Sequence, residues 1–392
     1  MRALWLFVLL LVSATLASRT VYYSRALSPV PAHCTVYGTV ATVCHLDDDQ
    51  VAPEAGGHEG RDEPLIAPTE STKPTAAPGT EALAVSWGQD RVDQRKLPLD
   101  GLYTPDRTGN GANVWVVSSG IDTTVGEIAG RADNPFAATV PPADCNGQGT
   151  ELAVTVAGAT YGIAKSANVA GVKVLDCNGN GGTGSLVDGL AYILANPRSR
   201  SVVLIGVSYL GRNSAVEEAI EDLLAAGMTV VAEAGDQSTS ACQFFPGSQE
   251  GVISVTSSTR SDKRYSFANY GSCVTMIAPG HEITTKTLGG TAVNRTRTRM
   301  AAAHVAGAAA QVLQGSPSFD GAQVLSNLMD RATLGWISNT DGTPNALLFV
   351  LQNSNPPQTT TGGTSSTTGG SSGAATLVAN AMLVVCCVLL FL

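Results

Sequence analysis

Apolar runs alternate with helix-periodic segments between residues 83 and 352. Five runs are apolar at consecutive positions, as strands buried on both faces of a sheet are: residues 113–117, 169–175, 201–207, 228–231 and 251–255. Three segments carry apolar residues at helical spacing: residues 186–195, 214–226 and 300–313. This alternation predicts one α/β domain at residues 83–352, with a central parallel sheet covered by helices on both faces.

The segment at residues 214–226 carries its own start and stop residues. Ser214, with Glu217 three positions later, has the pattern of a helix capping box. Gly227 suits the left-handed turn that ends a helix. We therefore predict a helix that is capped by Ser214 and stops at Gly227.

The N-terminal part is predicted to be a signal peptide followed by a short segment and a linker. Residues 1–17 combine the basic Arg2, an apolar stretch and a small-residue cleavage site ending at Ala17. The apolar stretch is shorter than the roughly 20 residues that a membrane-spanning helix needs. Residues 18–50 form a short segment with Cys34 and Cys44, and residues 51–82 have the Pro, Gly and acidic composition of a linker.

The C-terminal part is predicted to be a stalk with a lipid-anchor signal. Residues 353–373 are rich in Thr, Ser and Gly, and residues 374–392 form a hydrophobic tail at the very end of the chain. Small residues at 371–373 followed by such a tail are typical of glycosylphosphatidylinositol (GPI) attachment. A short transmembrane anchor is the alternative. The protein is expected at the cell surface, bound to the membrane through the lipid.

Charge and cysteine content narrow the classes of function. The net charge of −9 excludes nucleic acid as a main partner, because no basic excess exists to neutralise phosphates. Secretion permits disulfides, and six of the eight cysteines lie before the hydrophobic tail. Six cysteines allow 15 connectivities, among which spacing does not choose. Asn294 opens the sequon Asn294-Arg295-Thr296 and is the expected glycosylation site.

Collinear motifs in this domain resemble those of a known enzyme family. The matching segments are residues 87–94, 97–99, 144–150, 161–164, 172–177, 267–273, 278–280, 300–301 and 304–307. Over residues 83–315 the chain is similar to subtilisin-type serine peptidases of the proteinase K and aqualysin branch. The resemblance implies a subtilisin-like three-layer fold. It also implies the disulfide pairs Cys145–Cys177 and Cys242–Cys273.

The same resemblance places other residues at all four catalytic positions. Ser118 stands where the family has its aspartate, Glu151 where it has its histidine, and Arg299 where it has its serine. Asp236 replaces the oxyanion asparagine. Peptide hydrolysis by that mechanism needs a nucleophile, a base and an oxyanion donor. Arginine stays protonated and cannot be the nucleophile. The main hypothesis is therefore a catalytically inactive pseudopeptidase that serves as a surface binding or structural module.

Two alternatives stay open. A serine-type endopeptidase with a rearranged site would use Ser118 or Thr298 as its nucleophile. Glu151 and Asp236 match two changes of the sedolisin type, but Thr155 stands where that pattern needs a second acid. The other alternative is a decoy or regulator of active peptidases. In each case the ligand is an unknown protein or peptide, and a monomer is expected.

Arg299 is expected to be buried at the head of a helix, where a lone charge would be costly. We predict that it pairs with Glu151, Asp236 or both. Arg295 and Arg297 are interpreted as residues of a solvated loop.

Calcium is the one metal that the residues indicate, and no cofactor is required. Asp90, Asp93, Gln94 and Asp100 match a calcium site of the aqualysin branch, and oxygen ligands suit that cation. Leu102 departs from the pattern where a further oxygen donor would stand. The alternative is that Asp90 and Asp93 are ordinary surface acids.

The groove and the N-terminal segment also depart from the family. Residues 206–211 match the substrate-binding strand only in part, and the bulky Tyr209 and Leu210 are expected to hinder peptide binding. Residues 18–80 are too linker-like for the βαββαβ chaperone domain that the resemblance implies.

Overall fold

The computed structural model describes residues 86–352 in full and, before them, the backbone of five short strands at 19–23, 34–37, 41–46, 58–60 and 64–65. The predicted signal peptide, the predicted stalk at residues 353–373 and the predicted lipid-anchor tail lie outside the described residues. Within the described ranges, no helix has the length and apolar character needed to cross a bilayer.

The elements follow one another along the chain, and all but one of the N-terminal strands precede the large domain by at least 25 residues of sequence. They are β1 Arg19–Tyr23, β2 Cys34–Tyr37, β3 Ala41–Leu46, β4 His58–Gly60, β5 Pro64–Leu65, α1 Trp87–Val92, β6 Asn113–Ser118, β7 Ala132–Ala137, α2 Gln148–Ala157, β8 Asn168–Lys173, β9 Gly181–Gly182, α3 Thr183–Ala195, β10 Ser201–Ile205, β11 Tyr209–Leu210, α4 Ser214–Ala225, β12 Thr229–Glu233, β13 Phe244–Phe245, β14 Ile253–Ser258, β15 Met276–Pro279, β16 Ile283–Lys286, β17 Ala292–Arg295, α5 Thr298–Gly315, α6 Gly321–Arg331, β18 Thr333–Leu334 and β19 Ala346–Leu347.

A nine-stranded sheet forms the centre of the domain, in the order β18-β19-β15-β14-β12-β10-β6-β8-β7. All neighbouring strands run parallel except β18 and β19. Helices lie on both faces, which confirms the predicted α/β fold. Parallel strands need such crossover helices, and this is why strands and helices alternate in the sequence.

The two faces of the sheet bury two separate apolar clusters. Along β6, Val114 and Val116 belong to the cluster that includes α2, α5 and α6. Trp115 and Val117 belong to the opposite cluster, which includes α3 and α4. All four side chains are buried, because successive residues of a strand point to opposite faces. The continuous apolar run in the sequence is the result.

The predicted element bounds hold to within a few residues, with one correction. The N-cap of α4 is Asn213 and not Ser214, because the Asn213 Oδ1 accepts hydrogen bonds from the backbone N–H groups of Ala215 and Val216 at 3.1 and 3.2 Å. Asparagine is at least as good a cap as serine. Gly227 follows the helix with φ of 79°, as predicted.

Two disulfides confirm the pairing that the resemblance implies. Cys145 is bonded to Cys177 with Cα atoms 4.9 Å apart, and Cys242 is bonded to Cys273 with Cα atoms 5.1 Å apart. In the N-terminal sheet, the register of β2 and β3 places Cys34 opposite Cys44.

Candidate functional site

Four positions singled out in the sequence lie at the carboxyl edge of the central sheet. Ser118 is the last residue of β6, and Asp236 follows the end of β12 by three residues. Glu151 lies in the first turn of α2, and Arg299 is the second residue of α5. The carboxyl ends of parallel strands meet at one edge, where ligand sites of open α/β sheets form.

Ser118 is fully buried, and its hydroxyl accepts a hydrogen bond from a side-chain amide. The Gln148 Nε2 donates to the Ser118 Oγ at 3.0 Å and to the Gly206 carbonyl at 2.8 Å. An amide does not take up a proton near neutral pH, so Gln148 cannot activate this hydroxyl as a general base would.

Glu151 is paired with Arg295. The residue is only 1% exposed, and its carboxylate accepts hydrogen bonds from the Arg295 Nε at 2.8 Å and from Nη2 at 2.7 Å. This two-point geometry is the strongest that a guanidinium and a carboxylate form. The interpretation of Arg295 as a solvated loop residue is therefore wrong. It ends β17, which alternates exposed and half-buried positions, and its side chain reaches α2.

Arg299 is buried as predicted, with 2% of its surface exposed. Its positive charge influences two carboxyl groups near the end of β12. Its charge lowers the pKa of Asp236, one of its two predicted partners, against the stronger effect of burial, which raises that pKa. The same charge also lowers the pKa of Glu233, a residue that lies in none of the motifs. The bidentate partner of Glu151, the other acid predicted for Arg299, is Arg295.

Thr298 joins the two acids. Its backbone N–H donates to the Asp236 Oδ1 at 2.9 Å, and its hydroxyl donates to the Glu233 Oε2 at 3.2 Å. The Gly235 N–H donates to the same hydroxyl at 3.1 Å. Thr298 is fully buried, so its oxygen is enclosed by protein and does not face solvent.

Glu233 is a functional-site residue that sequence reasoning missed. It is 1% exposed, and burial together with the neighbouring Asp236 carboxylate raises its pKa to about 7, against the opposing effects of Arg299 and Thr298. One feature of the sequence could have indicated Glu233: it is an acid at the end of an otherwise apolar strand. Carboxylates are almost never fully buried without a partner.

The pKa of Glu233 predicts how stability depends on pH. The pKa is raised from 4.5 to about 7 on folding, so between these values the folded state holds the proton that the unfolded state has lost. Stability from this group is complete below pH 4.5 and is lost as the pH rises through 7. The Gln side chain of Glu233→Gln stays neutral at every pH. Between about pH 5 and pH 8 the variant's free energy of unfolding should therefore fall by about 2 kcal/mol less than that of the wild type. Urea unfolding at pH 5 and pH 8 measures this, and parallel losses in both proteins would contradict it.

The two histidines of the domain, His281 and His304, make contacts with residues other than Ser118, Glu151, Asp236 and Arg299. The His304 ring lies inside α5, its Nδ1 is 2.8 Å from the Met300 carbonyl, and burial lowers its pKa to about 4. The His281 ring packs against Tyr265 at 4.9 Å between centroids.

The four candidate calcium ligands differ in how deeply they are buried. Asp90 and Asp93 are buried, so they are not ordinary surface acids. One oxygen of each accepts a backbone N–H, from Gly101 at 2.9 Å and from Thr104 at 2.7 Å, while the Oδ1 of each makes no hydrogen bond. Burial raises the pKa of Asp93 to about 6.

The remaining candidate ligands are less enclosed. Gln94 is half-buried, and Asp100 is exposed and accepts from the Leu102 N–H at 3.0 Å. Over the described ranges, no group of three or more His, Cys, Asp or Glu side chains is arranged to hold a metal. Gln94 or main-chain oxygens would have to complete the coordination of any cation held by Asp90 and Asp93.

Tyr209 and Leu210, the two bulky residues of the segment that resembles the substrate-binding strand, lie in different environments. Tyr209 is buried and packs edge-on against Phe245, with ring centroids 5.7 Å apart. Leu210, with 57% of its surface exposed, projects outward. Of the two bulky residues expected to hinder peptide binding, only Leu210 is therefore available at the surface.

Comparisons with known proteins agree with this architecture. The family model described as the subtilase family matches residues 109–353. An extracellular serine proteinase of Thermus sp. (strain Rt41A) is 38% identical over 295 residues, which cover 74% of this chain and 72% of that protein. The subtilisin-like serine protease AsES of Sarocladium strictum is 34% identical over 288 residues, covering 72% of this chain and 73% of its own length.

A solved structure extends the comparison to three dimensions. The crystal structure of a cold adapted subtilisin-like serine proteinase superposes with a TM-score of 0.65 at 35% identity, covering 68% of this chain and 98% of that one. Sequence relatives and structure thus agree over the same domain, and the chain belongs to the subtilase family.

Proposed function

We propose that this chain is a catalytically inactive subtilase that acts outside the cell as a binding or structural module. The observation that carries the proposal is the charge cluster in the cleft. A buried arginine, Arg299, stands at the position that the resemblance gives to the nucleophile. At the position of the base, Glu151 is held by two hydrogen bonds from Arg295. Neither group can do the proton transfer that acyl transfer needs.

An active serine endopeptidase is the second candidate. It is favoured by the relatives, which are named as proteinases, the first as an extracellular one. The two hydroxyls that it could use are Ser118 and Thr298, and both are fully buried and hydrogen-bonded. A third candidate, a decoy that binds active peptidases or their inhibitors, shares the inactive cleft and differs only in its partner.

Casein hydrolysis and fluorophosphonate labelling of the purified ectodomain separate the first two candidates. The inactive protein should give neither cleavage nor a covalent adduct. Labelling at Ser118 or Thr298 would establish the second candidate instead. Capture of an active peptidase by the unlabelled protein would identify the third.

Anchoring through a lipid is proposed from the hydrophobic C-terminal residues 374–392. Phosphatidylinositol-specific phospholipase C cleaves GPI anchors and leaves transmembrane segments in place. We expect treatment of intact cells to release most of the surface protein into the medium. A GPI-anchored protein of the same cells provides the control, and retention of this chain while the control is released would indicate a transmembrane tail.

Calcium binding is proposed at Asp90 and Asp93, because a cation would partner the two buried oxygens that make no hydrogen bond. We expect calcium to raise the melting temperature, with a stabilisation of about 1–3 kcal/mol at saturating metal. Asp93→Asn should remove the effect and Asp133→Asn, on the exposed surface, should keep it. A melting temperature that is the same in calcium and in chelator would contradict the site.

Glycosylation is proposed at Asn294. This residue is exposed on β17, where its Oδ1 accepts from the Thr284 hydroxyl at 2.9 Å. A shift in mass on treatment with peptide N-glycosidase, absent from Asn294→Gln, tests the assignment.

A further inference from the structure

A buried amine lies against one of the two disulfides of the domain. Lys173, the last residue of β8, has no exposed surface, and its Nζ is 3.6 Å from the Cys145 Sγ. The same Nζ donates to the Ser119 carbonyl at 2.8 Å. A protonated amine is a hydrogen-bond donor only, so a positive charge faces the sulfur that Cys145 shares with Cys177 in the disulfide.

The Lys173 amine makes no ion pair with any carboxylate in the part of the chain that the structure describes. Burial lowers its pKa, and the carboxylates of Asp144 and Asp176, which lie beyond ion-pair distance, oppose that effect. A buried charge is costly until it acquires a counter-charge. A thiolate on Cys145 would supply one, so Lys173 stabilises this sulfur once the disulfide has opened.

The two cysteines of this disulfide differ in their access to solvent. Cys177 is exposed, whereas Cys145 is half-buried against Lys173. In thiol exchange an external thiolate attacks one sulfur, and the other sulfur leaves as a thiolate. A thiol from solvent therefore reaches Cys177, and Cys145 is the leaving group. A leaving thiol of lower pKa departs faster, and a neighbouring lysine is one of the groups that lower the pKa of a thiol.

We propose that Cys177 is a site of exchange with small thiols. The incoming thiolate forms a bond to the Cys177 Sγ, the bond between Cys177 and Cys145 breaks, and its electron pair leaves with the Cys145 sulfur beside the Lys173 ammonium. The products are a mixed disulfide on Cys177 and a thiolate on Cys145. The thiol itself is the only co-reactant of this step.

Asp176 favours one class of thiol. Its carboxylate precedes Cys177 in the chain and accepts from the backbone N–H groups of Asn180 and Asn178 at 2.8 Å each, and these bonds lower its pKa. The carboxylate is therefore negative at neutral pH and repels a thiol that carries a second negative charge. A small thiol with a positive group, such as cysteamine, suits this site.

Opening of this disulfide would change the rim of the cleft that holds the charge cluster. The bridge ties the segment after β8 to Cys145, two residues before Gly147, which is the N-cap of α2. Glu151 lies in the first turn of that helix and is bound to Arg295. A mixed disulfide on Cys177 releases the tie, so a ligand that contacts this rim would bind the bridged and the exchanged protein differently.

The second disulfide of the domain provides a matched control. Its cysteines are 31 positions apart in sequence, against 32 for the first pair. Cys242 is exposed and Cys273 is half-buried, as in the first pair. The polar neighbour differs, because the Cys242 Sγ lies 4.0 Å from the Ser272 hydroxyl, which carries no charge. A difference in exchange rate between the two disulfides would therefore report on Lys173.

Timed treatment of the full ectodomain with cysteamine tests the proposal. N-ethylmaleimide stops the reaction and marks released thiols, and peptide mass spectrometry locates both labels. We expect Cys145 to become reactive toward maleimide at least roughly ten-fold faster than Cys242 and Cys273. At early times cysteamine should be found on Cys177. Equal opening rates for the two disulfides, or cysteamine bound mainly to Cys145, would overturn the proposal.

Lys173→Met tests whether the charge causes the difference. Methionine is unbranched and uncharged, so opening of Cys145–Cys177 should slow at least roughly ten-fold, while Cys242–Cys273 keeps its rate. Lys173→Arg retains the charge and should still open fast. An unchanged rate in a folded Lys173→Met protein would overturn the proposal. If both disulfides of this variant open faster because it is unfolded, the ratio of the two rates in the unmutated chain decides the proposal alone.

The preference for positive thiols has a separate test. Mercaptoethanesulfonate carries a sulfonate and should open Cys145–Cys177 more slowly than cysteamine does. Asp176→Asn removes the repulsion and should narrow this gap. The same gap in the variant and in the wild type would overturn the role given to Asp176.

Discussion

Replacing Arg299 with methionine is expected to lower the free energy of unfolding by about 3 kcal/mol at pH 8. Methionine keeps much of the length of the side chain and removes its charge. Two arginines, Arg299 and Arg297, lower the pKa of both Glu233 and Asp236, and the substitution would leave these buried carboxylates with Arg297 alone. Removing one partner of a buried ion pair destabilises a protein more than replacing both partners by apolar residues, because the remaining charge stays buried without a counter-charge.

The cost of this substitution should fall at lower pH. Burial raises the pKa of both Glu233 and Asp236, and removal of Arg299 raises them further, so both acids take up protons as the pH drops toward 5. A neutral carboxylic acid is tolerated in a buried place far better than a carboxylate. Urea unfolding at pH 8 and pH 5 measures the difference. Arg260→Met, on the exposed surface, is the control and should change stability by less than about 0.5 kcal/mol at both pH values.

Arg299→Ser should likewise destabilise the protein without making it a peptidase. The serine would stand at the family's nucleophile position, but Glu151 at the base position remains bound to Arg295. Loss of a nucleophile and loss of its base act as a unit, so restoring one alone recovers little. A variant that hydrolyses casein, or one with unchanged stability at pH 8, would contradict this account of Arg299.

The second large effect is expected for the Glu151–Arg295 pair. Glu151→Gln should cost about 2–3 kcal/mol, because the Arg295 guanidinium loses its two charged contacts in a partly buried place. The double variant with Arg295→Met should cost less than the sum of the single variants. The resulting coupling energy is expected to be about 2 kcal/mol, reduced from that of a fully buried pair because a fifth of the Arg295 side chain is exposed.

A second ion pair of this chain provides a matched control. Arg198 and Asp133 also form a two-point contact, at 3.1 and 2.6 Å, but their side chains are 27% and 51% exposed. The same cycle there should give a coupling of less than about 1 kcal/mol, as solvated pairs do. Equal coupling energies for the two pairs would show that burial of Glu151 adds nothing, and the role given to this pair would be wrong.

The sequence predicts the layers of the fold well, for a physical reason. Residues such as Trp115 and Val116 must bury opposite faces of one strand, so an apolar run at consecutive positions has few interpretations other than a strand inside a covered sheet. The helix that carries Arg299 is equally well marked, by its long run of small apolar residues. The burial of Arg299 was expected from the resemblance, which places this residue at the family's nucleophile position at the head of that helix.

The partners within the cleft were harder to predict. The hairpin of β16 and β17 decides which arginine reaches Glu151, and strand register is not visible in a stretch of alternating Thr and Arg. Glu233 was missed because it ends a strand whose other residues fit the core. Strands β4 and β5 were missed, because strands of three and two residues in a Pro- and Gly-rich stretch leave almost no periodic pattern.

Fluorophosphonate labelling of the full ectodomain, with adducts located by peptide mass spectrometry, tests the central claim most directly. The reagent reacts with any serine or threonine hydroxyl that a base activates within reach of solvent, and an active subtilisin-like peptidase provides the positive control. The charge cluster of Arg299, Glu233, Asp236, Glu151 and Arg295 predicts no adduct anywhere in residues 86–352. An adduct at Ser118 or Thr298 would contradict it and would make this chain a working peptidase with a rearranged site.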